Sequence, residues 1–131
     1  MDRTEIKILV TDAPLASFGD PPAGCGAVVE FCGIVRDEED GNRIPALEYQ
    51  AYQPMAEREI ERLVHELLAQ HPCASVRVSH RTGVIPVGER AIILQVASRH
   101  RAAAFSFATA FTDRLKQDVP IWKIKPLPQT G

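Results

Sequence analysis

The chain has 131 residues, 45% of them hydrophobic and 24% charged, with a formal net charge of −2. That balance suits a single folded domain over residues 1–131 and excludes nucleic-acid binding through bulk positive charge, which needs a basic face. No apolar run approaches the roughly 18 residues of a membrane span. The opening "MDRTEIKILVTDAP" sets Lys7 inside its only apolar run and lacks a secretory pattern, so a cytoplasmic protein with no membrane contact is expected.

In chain order, "EIKILV" (5–10) alternates and is β-rich, which predicts a strand. "TDAPLASFGDPPAGCG" (11–26) is dense in Pro and Gly and reads as a loop. "AVVEFCGIVR" (27–36) predicts a long strand, with Gly33 marking a bulge or a close backbone approach. "DEEDGN" (37–42) reads as an acidic turn-forming loop, and "RIPALEYQAY" (43–52) as the returning strand. Pro54 opens a helix whose Ile60, Leu63, Val64, Leu67 and Leu68 make one apolar stripe. "SVRVSHRTGVIPVGE" (75–89) predicts a strand and then a Gly/Pro-rich turn, and in "RAIILQVASR" (90–99) Ile92 to Val96 should be central. Ser98 is the expected cap of a second helix that buries Ala104, Ala108, Phe111 and Leu115. Pro120 ends that helix, "IWKIK" is a last short strand, and residues 126–131 form a short tail. The order β, β, β, α, β, β, α, β predicts an α+β fold, a mostly antiparallel sheet with two main helices.

Cys25, Cys32 and Cys73 are widely spaced, with no C-x-x-C and no zinc-type spacing to a histidine, so they read as buried reduced thiols. The cations are more informative. Arg99, His100 and Arg101 crowd a helix start, where free N–H groups already carry partial positive charge. An anion held there accounts for all three, and splaying into solvent is the bland alternative. Arg36 ends a β-rich run just before the acidic loop, where an ion pair with Asp37, Glu38 or Glu39 competes with a ligand role. Lys116 sits in a last helical turn that suits its charge. Lys123 follows Trp122 after a proline, where apolar neighbours and nearby cations would favour a proton-transferring lysine. His100 and Lys116 lie sixteen residues apart on one helix, about 24 Å at 1.5 Å per residue, too far to touch one small ligand within one chain. Two separate sites, or one site shared across a homodimer, would reconcile them.

"GAVVEFCGIVRDEEDGNRIPALEYQAYQPMAEREI", "VSHRTGVIPVGERAIILQVASRHRAAAF" and "DRLKQDVPIWK" resemble, in order from about Gly26 to Lys123, the catalytic (large) subunit of molybdopterin synthase. The landmarks are the strand end from Gly33 to Arg36, the Tyr/Pro-Met entry to the first helix, the HR-G and P-x-G-E turns, the S-x-H-R helix start, and the L-K…P-x-W-K close. The resemblance implies an α/β hammerhead-type fold and a homodimer within a heterotetramer. Each end would take a small ubiquitin-like sulfur-carrier subunit with a Gly-Gly C-terminus. The reaction it implies moves sulfur from that thiocarboxylated C-terminus to cyclic pyranopterin monophosphate (precursor Z), forming the molybdopterin dithiolene of molybdenum cofactor biosynthesis. Lys116 and Lys123 would be catalytic. Ile34, Val35, Arg36, Lys116, Lys123, Ile124 and Lys125 would line the pterin pocket, and His100 and Arg101 of the other protomer would hold the phosphate. No metal, no cofactor and no nucleophilic cysteine is called for. The competing expectation is a non-catalytic dimeric module for a phosphorylated ligand or a protein tail, which would need the arginines and His100 but not both lysines.

Overall fold

The computed structural model describes the backbone of residues 4–126 and the side chains of residues 4–123. Nine strands and two helices follow one another among them: β1 (Glu5–Thr11), β2 (Ala27–Ile34), β3 (Glu38–Glu39), β4 (Asn42–Arg43), β5 (Ala46–Ala51), α1 (Met55–Gln70), β6 (Ser75–Arg81), β7 (Gly83–Pro86), β8 (Arg90–Ser98), α2 (Arg101–Asp118) and β9 (Ile121–Pro126). β8, the most continuously apolar segment, lies inside a four-stranded sheet of order β1-β6-β8-β2. A second sheet has the order β7-β5-β9. Every pairing is antiparallel except β1 with β6. The α+β class and the mostly antiparallel pairing expected from the sequence are therefore present.

Strand alternation decides which face meets the helices. Val76 and Val78 of β6, with Ile92, Leu94 and Val96 of β8, join Ile60, Leu63, Val64 and Leu67 of α1 and Ala104, Phe107, Ala108 and Phe111 of α2 in one core. Phe107 and Phe111, a helical turn apart, stack at 6.2 Å and are fully buried. Leu115 packs on the margin of this core rather than within it. A smaller second core of Val35, Ile44, Leu47, Ile85 and Ala91 sits under the β7-β5-β9 sheet. On the outer face of the large sheet, the buried guanidinium of Arg77 donates to Glu5 Oε1 (2.6 Å), to the carbonyls of Gly19 and Asp20, and to Gln95 Oε1. That network ties the Pro/Gly-rich loop to the sheet, satisfying an ion that would otherwise be costly to bury.

Three expectations change. Residues 37–42 are not an open loop but the β3–β4 hairpin, because Asp40 and Gly41 both adopt positive φ (51° and 80°), as a two-residue hairpin turn of this hand requires. The segment after β6 is a strand of the other sheet, β7, and not only a turn. Ser98 does not cap α2: the cap position is His100, in extended conformation, and the Ser98 hydroxyl donates to the His100 carbonyl instead. Gly33 meets both halves of its expectation. Gly33 pairs with Ile92 and Ile34 with Arg90, so the register shifts there with Ala91 of β8 as the extra residue, and a Cβ at Gly33 would lie 2.7 Å from Ile92 Cγ2. Just past that shift, Val35 enters the smaller core.

Candidate functional site

Gly33 and Ile34, at the end of β2, form one wall of a cavity of about 380 Å³, lined also by Phe31, Tyr49, His80, Ala91, Ile92, Leu115, Lys116 and Ile121. This is the size of a small-molecule site. Its wall is mostly apolar, and the C-terminal turns of α2 bring Lys116, Asp113 and Thr112 to it. Thr112 is already committed, its hydroxyl donating to the carbonyls of Ala108 and Thr109. The exposed Lys116 is therefore the cation of the cavity wall. Of the residues expected at the site, Ile34 and Lys116 meet here.

Lys123 lies nearby in chain topology but is not in that wall. Its Nζ pairs with Glu39 Oε1 of the hairpin at 2.8 Å, and its side chain is 40% exposed while that of Glu39 is only 15% exposed. The hydrogen bond from Lys123, with the field of Lys123 and Arg36 added, holds the Glu39 carboxyl below the usual carboxylate range. Burial of the carboxylate opposes this shift without reversing it. Glu39 thus ties two expected site cations into one cluster. Asp37 pairs with Arg43 at 3.4 Å, so the hairpin's own acids leave Arg36 with no ion pair among the described residues. Trp122 faces the opposite side of β9 from Lys123 and is 54% exposed. It forms no apolar wall around the lysine, because neighbouring residues of a strand point to opposite faces.

Arg99, His100 and Arg101 are all exposed at the other end of α2, with no ion pair among the described residues and no acidic residue in the first helical turn. The sixteen-residue separation from Lys116 is realised as one unbroken helix, Arg101–Asp118, so the two cation groups stay about 24 Å apart in one chain. Val35 is buried at 3% exposure in the small core, and its N–H and C=O bond to Glu89 and Gly88. Ile124 and Lys125 belong to β9, where Ile124 is the extra residue between the Tyr49–Lys123 and Glu48–Lys125 pairs, and their side chains lie outside the described residues.

His80 was not among the expected site residues. It continues the core-facing alternation of Val76 and Val78 yet emerges at the cavity, with its ring edge-on to Tyr49 at 5.5 Å. Burial lowers its pKa below the ordinary imidazole value. Of the cysteines only Cys73 is buried, and burial pushes its thiol up to about 11. Cys25 and Cys32 are half-buried, a departure from the expectation of three buried thiols. Among the described residues, no group of three or more His, Cys, Asp or Glu is placed to hold a metal ion, and no helix is long and apolar enough to cross a membrane.

The family model described as MoaE protein matches residues 5–118, which includes both helices and the cavity wall except Ile121. The chain belongs to the MoaE protein family. The human molybdopterin synthase catalytic subunit is 41% identical over 99 residues, 76% of this chain and 53% of that protein. The Bacillus subtilis molybdopterin synthase catalytic subunit is 41% identical over 98 residues, 75% of this chain and 62% of its own length. The chain spans about half the length of the human, rat and cattle relatives that it matches. Among solved structures, molybdopterin synthase from Staphylococcus aureus superposes with a TM-score of 0.81 at 31% identity, covering 100% of this chain and 95% of that one.

Proposed function

We propose that this MoaE-family chain is the catalytic subunit of a molybdopterin synthase, a cytoplasmic sulfurtransferase. It would move sulfur from the thiocarboxylated Gly-Gly C-terminus of a small ubiquitin-like subunit to cyclic pyranopterin monophosphate. The observation that carries the reading is Lys116, among the described residues the one Lys or Arg in the wall of a mostly apolar cavity, beside Gly33 and Ile34 at the end of β2. An exposed ammonium lining a mostly apolar cavity can meet negative charge as it develops there.

Attack by the thiocarboxylate sulfur forms a C–S bond to the pterin side chain and places charge on the oxygen of a tetrahedral centre. That oxygen leaves as water after taking up protons, and a water molecule then cleaves the acyl–sulfur bond, returning the partner's tail as a carboxylate. Lys116 faces the charge of the tetrahedral centre. Lys123, held by Glu39 in the free chain, supplies the second cation beside Arg36 once an incoming anion competes for it. His100 and Arg101 bind the substrate's phosphate from a second copy of the chain, using the α2 N-terminus as well as their own charge. Homodimerisation has support in the fold. β2 is an edge strand with Val28, Phe31 and Ile34 exposed at 45%, 41% and 53%, an apolar edge of the kind that monomers usually blunt.

A shared site has a distinctive consequence. Arg101→Ala and Lys116→Ala chains should each be inactive alone. Mixed after reversible dissociation, they should recover about a quarter of parental activity, because half of the dimers become heterodimers with one intact site each. No recovery on mixing, with dimers demonstrably exchanged, contradicts a site built from two copies.

A further inference from the structure

Of the other polar side chains at the cavity, Thr112 is paired and Asp113 and Lys116 are exposed. His80 is different. It is 6% exposed, and its Nδ1 lies 2.9 Å from the Arg81 carbonyl oxygen. A carbonyl can only accept, so Nδ1 carries the proton and donates. In the neutral ring that leaves Nε2 as a lone pair. Among the described residues Nε2 has no hydrogen-bond partner. It is also not one of the sealed-off polar atoms without a partner, which are Glu57 Oε1, Ser79 Oγ and Arg81 Nε. The ring lines the cavity, so the cavity is where Nε2 keeps its open side.

We propose that His80 Nε2 is the hydrogen-bond acceptor that orients the substrate in this cavity, reading an N–H or N–H₂ group on the edge of a planar heterocycle. This deepens the reading above and rests on it, since the pterin ring is the donor-rich plane in question. The surroundings suit the role. Phe31, Ile34, Ile92 and Ile121 offer apolar faces to a flat ring, while Tyr49 fixes the imidazole plane by its edge contact. The titratable groups facing the same cavity are Tyr49 from β5 and Asp113 and Lys116 from α2; β2, β8 and β9 present apolar side chains to it. None of the ion pairs among the described residues involves His80. Burial disfavours the imidazolium, which would be a donor and could not accept. Lys116 and His80 would then divide the work: the lysine faces charge, and the imidazole sets the orientation of the ring.

The test uses the full chain and pyranopterin monophosphate, with binding followed by calorimetry and turnover with the sulfur-carrier subunit. His80→Phe should weaken binding and raise KM by about tenfold, the loss of one hydrogen bond in a site built for it, while kcat changes far less. His80→Gln, whose side-chain carbonyl can still accept, should recover part of the affinity. It should also abolish the weakening that the parent shows as pH falls below the ordinary imidazole range. In the ¹⁵N-histidine spectrum of the free parent chain at neutral pH, His80 should be the neutral tautomer protonated at Nδ1. An imidazolium, or a neutral ring protonated at Nε2, overturns the proposal whatever the variants do. Substrate binding by the parent that His80→Phe leaves unchanged overturns the role of His80 alone. If the parent binds no pyranopterin phosphate, the functional reading falls and this proposal with it.

Discussion

Turnover is expected to fall at least about a hundredfold when Lys116 is replaced by alanine, the usual contribution of one group that stabilises transition-state charge or moves a proton. The residue is exposed on the last turns of α2 and makes no ion pair among the described residues, so the fold has little stake in it. Its loss should appear in kcat rather than in the melting temperature. Lys123→Ala should match it in size but not in side effects, because removing the ammonium also strands Glu39, whose carboxylate is mostly covered. Lys123→Arg separates two roles. The guanidinium keeps the charge and can still engage Glu39, but it does not release a proton near neutral pH. Binding retained with turnover still depressed assigns proton transfer to Lys123. Parental turnover from Lys123→Arg reduces it to an electrostatic anchor. These rates are read in single-turnover assays, with circular dichroism confirming that each variant is folded.

The largest effect on stability is expected in the core, at Phe107. Its side chain is fully buried in the core that the sheet forms with α1 and α2, stacked on Phe111. Phe107→Ala should cost about 3–5 kcal/mol, the transfer of the ring plus the cavity it leaves. Phe105, two residues earlier on the same helix, is 57% exposed, and Phe105→Ala should change stability by less than about 0.5 kcal/mol. Urea unfolding of the pair measures the difference directly. Equal midpoints would mean that α2 does not pack as described.

The two helices and the central strand β8 were legible because each rests on a local signal that packing reinforces: helical stripes from Ile60 to Leu68 and from Ala104 to Phe111, and an apolar run from Ile92 to Val96 interrupted only by Gln95. Gly33 was legible for the same reason, since a glycine inside a strand pattern has few other uses. The hairpin at 38–43 carried its signal in Asp40-Gly41, but acidic residues on both sides made it resemble a solvated loop. The Ser98 cap misled because the residue type was right and the phase was not: the helix starts two residues later, and the hydroxyl satisfies the His100 carbonyl. At the site, the distance argument along α2 survived intact, because helix rise is fixed. Side-chain partners did not follow from the sequence. The Lys123–Glu39 pair joins residues 84 positions apart, and only the β5–β9 pairing and the hairpin bring them together. His80 went unnoticed because an imidazole continuing a Val-x-Val strand face reads as core, and only the tertiary fold opens a cavity beside it.

The account stands most directly on reconstitution. Purified chain is mixed with a small ubiquitin-like subunit bearing a C-terminal thiocarboxylate and with cyclic pyranopterin monophosphate, and dithiolene formation is followed by mass spectrometry together with loss of the thiocarboxylate. The expected result is dithiolene product in proportion to thiocarboxylate consumed, none with the plain carboxylate partner, and at least about a hundredfold less with Lys116→Ala. Tight binding of the pterin phosphate and of the Gly-Gly tail, with no sulfur transferred under any of these conditions, would contradict it and leave the chain a binding module.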